Sequence, residues 1–211
     1  MTTPAWGDIV PLIEEDWLDL PDVPNPYYVY ADEGMFLHRR NVLGRGLVKH
    51  SKRPAKLQKV GNWRGSFMYD AEPLTANIYA QAVAFFRRNW ETHKTESEVI
   101  ITQHRETKAF KLYVPTQRVS HGGVYSIYDP KTIDRAYLVV GTIHSHPGSA
   151  FHSSTDESDA RDMDGMHLTV GYLDRDEPEV AAMVALNGTF FHFKNPADLA
   201  DTASESDEDV H

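Results

Sequence analysis

The 211-residue sequence contains no cysteine. Disulfides and thiolate metal ligands are therefore both excluded, and any bound metal must be held by His, Asp or Glu. No stretch approaches the roughly 18 apolar residues of a membrane span. The opening residues, Met-Thr-Thr-Pro-Ala-Trp-Gly-Asp, lack the basic and apolar regions of a secretory signal. A cytoplasmic protein without membrane association is the expectation. Acidic residues are also missing from one segment, since Gly34 to Tyr69 carries nine Lys and Arg but no Asp or Glu. The whole chain nevertheless has a formal net charge of −10, which argues against a general nucleic-acid partner. The basic segment over 39–64 is then either a partner surface or a solvated face. Internal repeats are absent as well.

What is present suffices for a core: 41% of residues are hydrophobic and 11% aromatic. The length suits one domain with an appendage. Residues 1–26 are proline-rich and mix acidic with apolar residues, as in an extended arm. Tyr27 to His38 reads as two strands about an Asp32-Glu33-Gly34 turn, with a third near Leu47 and a loop over 52–65. The first seventy residues carry no motif that implies chemistry, and form a β-rich accessory segment.

The pattern changes near residue 71. Pro73 suits a first helical turn, and Ile78, Ala82, Phe85, Phe86 and Trp90 recur with helical spacing up to His93-Lys94. Short strands follow at Glu98–Thr102, Ala109–Val114, Gly123–Tyr128 and Tyr137–His146. A short helix is expected over Ser154–Met163 and a strand over Met166–Tyr172. Val180–Leu186 and Thr189–Phe193 flank Asn187-Gly188, a strong hairpin signal. Residues 197–211 form an acidic, solvated tail. Together these predict a three-layer α/β/α domain over residues 71–196, with a mixed, mainly antiparallel sheet.

One stretch within that domain carries chemistry. The apolar run from Tyr137 ends in His144-Ser145-His146, turns at Pro147-Gly148, and reaches Ser153-Ser154-Thr155-Asp156. Side chains at i and i+2 of a strand share a face, so His144 and His146 can converge on one point. A catalytic zinc site uses two or three nitrogen or oxygen ligands and keeps a position for water, and Asp156 is the natural third ligand. Asp159 is the lesser candidate. Ser153 also suits a helix N-cap, and Ser154 with Glu157 matches a capping box. His152 and His167 are either partners of the metal ligands or structural histidines.

His144-Ser-His146-Pro147 followed by Ser153-x-x-Asp156 resembles the signature of the JAMM, or MPN-plus, zinc metallopeptidases, which remove or trim ubiquitin and ubiquitin-like proteins. The likeness spans about residues 72–195. It is greatest to bacterial members that occur with E1- and E2-like conjugation genes, through Ala150-Phe-His-Ser153 and Asp164-Gly-Met-His167. From His146 to Asp156 the interval is one residue shorter than the usual family spacing. The resemblance implies an MPN (cytidine-deaminase-like) fold and one zinc per chain held by His144, His146 and Asp156. It also implies Glu98 as general base, with Glu96 as fallback, and Ser153 as donor to the oxyanion. The implied substrate is an amide or isopeptide at the C-terminus of a ubiquitin-like protein, and E1- or E2-like proteins are implied as further partners. Two other functions fit: a catalytically silent scaffold of the same fold working through protein contacts, and a zinc hydrolase of small amides.

Overall fold

The computed structural model describes residues 9–11, 20, 22, 26–31, 34–52, 66–69, 71, 74–120, 122–127 and 129–193. Most of the expected arm, the tip of the Asp32-Glu33 turn, the loop over 53–65 and the acidic tail lie outside the described residues. The chain divides into two compact units, Met1–Ala71 and Glu72–His211, one residue from the expected boundary.

The first unit is a five-stranded sheet in sequence order: β1 (Ile9–Pro11), β2 (Tyr27–Ala31), β3 (Gly34–Asn41), β4 (Gly44–Lys52) and β5 (Ser66–Tyr69). The short β1 and β5 have no signal in the sequence, whereas β2 to β4 fall where expected. β3 turns into β4 through Asn41, whose side-chain oxygen accepts from the backbone N–H of Leu43 and Gly44. Tyr27, Val29, Phe36 and Leu47 are buried in this unit, together with His38, whose ring stacks on Tyr27.

The second unit opens with α1 (Ala76–His93). Thr75 caps its N-terminus by accepting from the Ile78 N–H, so Pro73, outside the described residues, precedes the cap. Its buried stripe is Ile78, Ala82, Val83 and Phe86, and the helix stops where Lys94 turns left-handed at φ 54°. Next come β6 (Glu98–His104), β7 (Phe110–Tyr113), β8 (Thr116–Ser120), β9 (Gly123–Ile127) and β10 (Tyr137–Ser145). α2 (Ser154–Ala160), β11 (Gly165–Gly171), β12 (Glu179–Leu186) and β13 (Thr189–Phe193) complete it. Asn187 and Gly188 both have positive φ, as a two-residue turn of this hand requires, and they join β12 to β13.

The main sheet has the order β13-β12-β11-β10-β6-β7, antiparallel except for the parallel β10–β11 pair. β8 and β9 form a separate ribbon. α1 contacts β7 and β10, while Ala160 of α2 clusters with Met183 and Ala185 of β12 and Phe190 of β13. Among the described residues the unit is thus a mixed α/β fold, richer in strand than the expected helix–sheet–helix domain. Two differences produce this. α2 ends at Ala160, where Arg161 to Asp164 turn into β11, instead of reaching Met163. A strand also forms directly after Pro115, and the sequence gives no sign of it because β8 is largely exposed.

Residues paired across a sheet share a face, so the register fixes what each face carries. One face presents Val99, Ile143, Leu168 and Ala182, with Ile101, Met166 and Val184, all buried. The other carries Glu98–His144–Thr169 in one row and, in the next, Thr142, His167 and His192 with the apolar Ile100 and Met183.

Candidate metal centre

His144 is the penultimate residue of β10, His146 follows directly after the strand, and Asp156 is in the first turn of α2. Their ligand atoms converge. His144 Nε2 lies 3.2 Å from His146 Nε2 and 3.3 Å from Asp156 Oδ1, and His146 Nε2 lies 3.6 Å from Asp156 Oδ2. Ligand atoms about 2.0–2.1 Å from a tetrahedral zinc lie roughly 3.3–3.4 Å from one another. The three side chains approach that spacing, with the contacts to Asp156 divided between its two carboxylate oxygens, and the group can hold a metal ion. All three donors are nitrogen or carboxylate oxygen, in keeping with a chain that has no cysteine.

The local sequence explains the convergence. A bulge between Val139 and Gly141 shifts β10 against β6. Tyr137 and Val139 pair with His104 and Thr102 ahead of the bulge, and Thr142 and His144 pair with Ile100 and Glu98 beyond it. An unbulged strand would have put Ile143 and Ser145 on this face in place of the histidine. Gly141, at φ 155°, makes the bulge feasible, because a Cβ there would come within 1.7 Å of the Met166 carbonyl oxygen.

The loop after His146 is then laid on the end of β11. His146 N–H donates to the Val170 carbonyl, Tyr172 N–H to the Gly148 carbonyl, and a Cβ on Gly171 would strike Gly148 and Ala150 backbone.

Ser153 is the N-cap of α2, and the capping box is one residue earlier than expected. Its Oγ accepts from the Asp156 N–H, and Asp156 Oδ2 accepts from the Ser153 N–H; Glu157 is not the partner. The box holds the Asp156 carboxylate toward the histidines. Burial raises the Asp156 pKa, but hydrogen bonds with His144, His146 and the Ser153 backbone outweigh it and hold the carboxyl well below the usual carboxylate range. The same charge works on His146, where burial lowers the pKa but Asp156 and then Glu96 raise it above the ordinary value.

Asp159 lines the same cleft, of about 430 Å³, but stands outside the His144–His146–Asp156 group. Glu98, Glu96 and Ser153 line it too. Glu98 is the residue paired directly across from His144. Burial raises its pKa, partly offset by Ser126 and His144. Glu96 lies beyond the start of β6, buried beside the cleft, and its charge acts on His146.

Sequence reasoning left His152 and His167 open. His167 is held as the neutral ring: Nε2 donates to the Met163 carbonyl and Nδ1 accepts from the Thr142 hydroxyl. Burial pushes its pKa down to about 4. His152 reaches the ligands through Thr169, whose hydroxyl lies 3.0 Å from His152 Nδ1 and 3.2 Å from His144 Nε2. Thr169, Thr142, Gln117 and Ser126 were all missed. For Thr169 a signal existed, since a hydroxyl within the wholly buried Met166–Val170 run must find a partner.

No protein-family model and no curated protein matches this chain. Among solved structures it is similar to protein DSY2949 from Desulfitobacterium hafniense, at 17% identity over 58% of this chain and 90% of that one, with a TM-score of 0.44. It is also similar to a protein from Salinibacter ruber, at 21% identity over 58% of this chain and 89% of the other, with a TM-score of 0.40. Neither likeness bears on function.

Proposed function

We propose that the second unit is a zinc-dependent isopeptidase or peptidase of the JAMM type, with an MPN-like three-layer α/β/α arrangement, and that it cleaves at the C-terminus of a ubiquitin-like protein. The observation that carries this reading is the convergence of His144, His146 and Asp156 to within 3.2–3.6 Å of one another, with Glu98 directly across the strand pair. His144, His146 and Asp156 would hold the zinc, which supplies Lewis acidity toward a water and a carbonyl oxygen. Glu98 takes the proton from the attacking water and returns it to the leaving amine. A carboxylate whose pKa is raised by burial suits both transfers. The Ser153 oxygen spends a lone pair on the Asp156 N–H but keeps its O–H to donate to the developing oxyanion. Gly123 to Ser126 of β9 wall the cleft, and β9 pairs only with β8 among the described residues. Its open edge suits an extended C-terminal tail added as a further strand.

The experiment is elemental analysis of the purified chain, combined with cleavage of reporter fusions to a panel of ubiquitin-like proteins. Close to one zinc per chain and release of a reporter are expected. Asp156→Asn should empty the site, and Asp159→Asn should leave it filled. A chain with no zinc would overturn the proposal, whereas a zinc-loaded chain that cuts small amides but no fusion would move the substrate class. If Asp159→Asn alone lowered occupancy, the ligand assignment would pass to Asp159.

A further inference from the structure

The general base of the proposed reaction is the first residue of its strand, β6. β7 pairs with β6 only from Ile100 to Gln103, so it has left the sheet before Glu98 is reached. On its other side Glu98 pairs with His144. Its backbone N–H and C=O are met by a side chain. Glu98 N–H donates to Gln117 Oε1 at 2.8 Å, and Gln117 Nε2 donates to the Glu98 carbonyl at 2.7 Å. A primary amide offers the same donor and acceptor pair as a peptide group. Gln117 therefore supplies the two bonds that a residue of a neighbouring strand would have supplied.

Ser126, directly opposite Gln117 in the β8–β9 ribbon, faces the same residue. Its hydroxyl is buried without a hydrogen bond of normal length, yet it lies near enough to the Glu98 carboxyl to act on it. One face of the ribbon thus grips the Glu98 main chain with Gln117 and adjoins its carboxyl group with Ser126. The ribbon itself is otherwise exposed, with Val119, Tyr125 and Ile127 open to solvent.

We propose that Gln117 is a positioning residue, which ties the placement of Glu98 to the β8–β9 ribbon that walls the cleft. This rests on the isopeptidase reading above. A tail seated on β9 would then settle the ribbon and the base together, because the Gln117 amide joins them.

Two measurements on the full-length, zinc-loaded chain test this. In Gln117→Met, exchange of the Glu98 amide proton should speed up by about tenfold or more as the clamp is lost. In the same variant kcat should fall by about 10–100-fold, the scale of a misplacement near 1 Å. KM and zinc content should be unchanged. Gln117→Glu keeps the acceptor for the Glu98 N–H and loses the donor to its carbonyl, so it should fall between the two; it replaces Gln117→Met if that variant does not fold. Unchanged amide exchange would show that no clamp exists. Faster exchange with unchanged kcat would show a clamp without a positioning role, and a raised KM at constant kcat would assign the ribbon to docking alone. If the wild-type chain cleaves nothing, the isopeptidase reading falls and takes the positioning role with it. The exchange result then still tells whether the clamp stands.

Discussion

Leu168 and Thr169 are neighbours on one buried strand, and they belong to different worlds. Leu168 joins Val99, Ile143 and Ala182 on a face with no polar side chain among these partners. Thr169 lies between two histidines on the face that holds the candidate metal ligands. The apolar face gains free energy from burial in proportion to area, with no demand on angle. The site face has the opposite character. A buried donor or acceptor there needs a partner at a set distance and angle, as His167 has in the Thr142 hydroxyl and the Met163 carbonyl. The site face is thus specified by geometry and the other face by volume, so substitutions on the two should separate function from stability.

The sharpest separation is expected at Glu98. Glu98→Gln preserves size and removes the proton acceptor, so cleavage should fall by about 100–10,000-fold, the usual worth of a general acid–base group. Zinc content and folding should be unaffected. The buried carboxylate is held at a raised pKa, so its ionisation is already opposed in the folded state, and removing the charge does not weaken the fold. Steady-state cleavage with parallel metal analysis checks this. Retention of more than about a tenth of wild-type activity would remove Glu98 from the role of base.

The complementary change is Leu168→Ala, on the fully buried side of the same strand. Loss of a buried leucine leaves a cavity and costs about 2–5 kcal/mol. Urea unfolding should show that loss, while the folded fraction binds zinc in the wild-type ratio. Zinc loss from a variant that is still folded would break the division between the faces, and show that the apolar layer sets ligand geometry.

How much of this was legible in the sequence follows from the same contrast. His144 and His146 were readable because the two-residue period of a strand puts i and i+2 on one side. The Asn187-Gly188 hairpin and the capping role of Ser153 were readable because turns and caps are local chemistry. The face on which the histidine lands was not, since it depends on a bulge at Val140, and a bulge is settled by the approach of β6 and β11. The pairing of Glu98 with His144 is a matter of register between segments far apart in sequence, which no local pattern reveals. Gln117 was hidden for a further reason. β8 is mostly exposed and carries no apolar alternation, and the glutamine substitutes for a strand that the sequence could not show to be missing.

The smallest of the three effects concerns His167, a polar residue of the site face that belongs to the fold rather than to the proposed reaction. Its pKa falls from 6.5 to about 4, with burial as the main cause. The unfolded chain therefore binds a proton on this ring in a range where the folded chain does not. By linkage, the stability contributed by the neutral ring is fully present above 6.5 and is lost as pH falls toward 4. Between about pH 7 and about pH 4.5 the loss from this one group amounts to roughly 2 kcal/mol. His167→Gln can keep both contacts, with its amide donating to the Met163 carbonyl and accepting from Thr142, but it cannot titrate. Urea unfolding of the metal-free wild type and variant should thus diverge in acid, with the variant losing less stability by that amount. Metal-free protein is needed so that release of an ion from His144 and His146 does not add to the slope. Parallel pH profiles would mean that His167 is already solvated in the folded chain, and that the site face tolerates a charge beside Thr142.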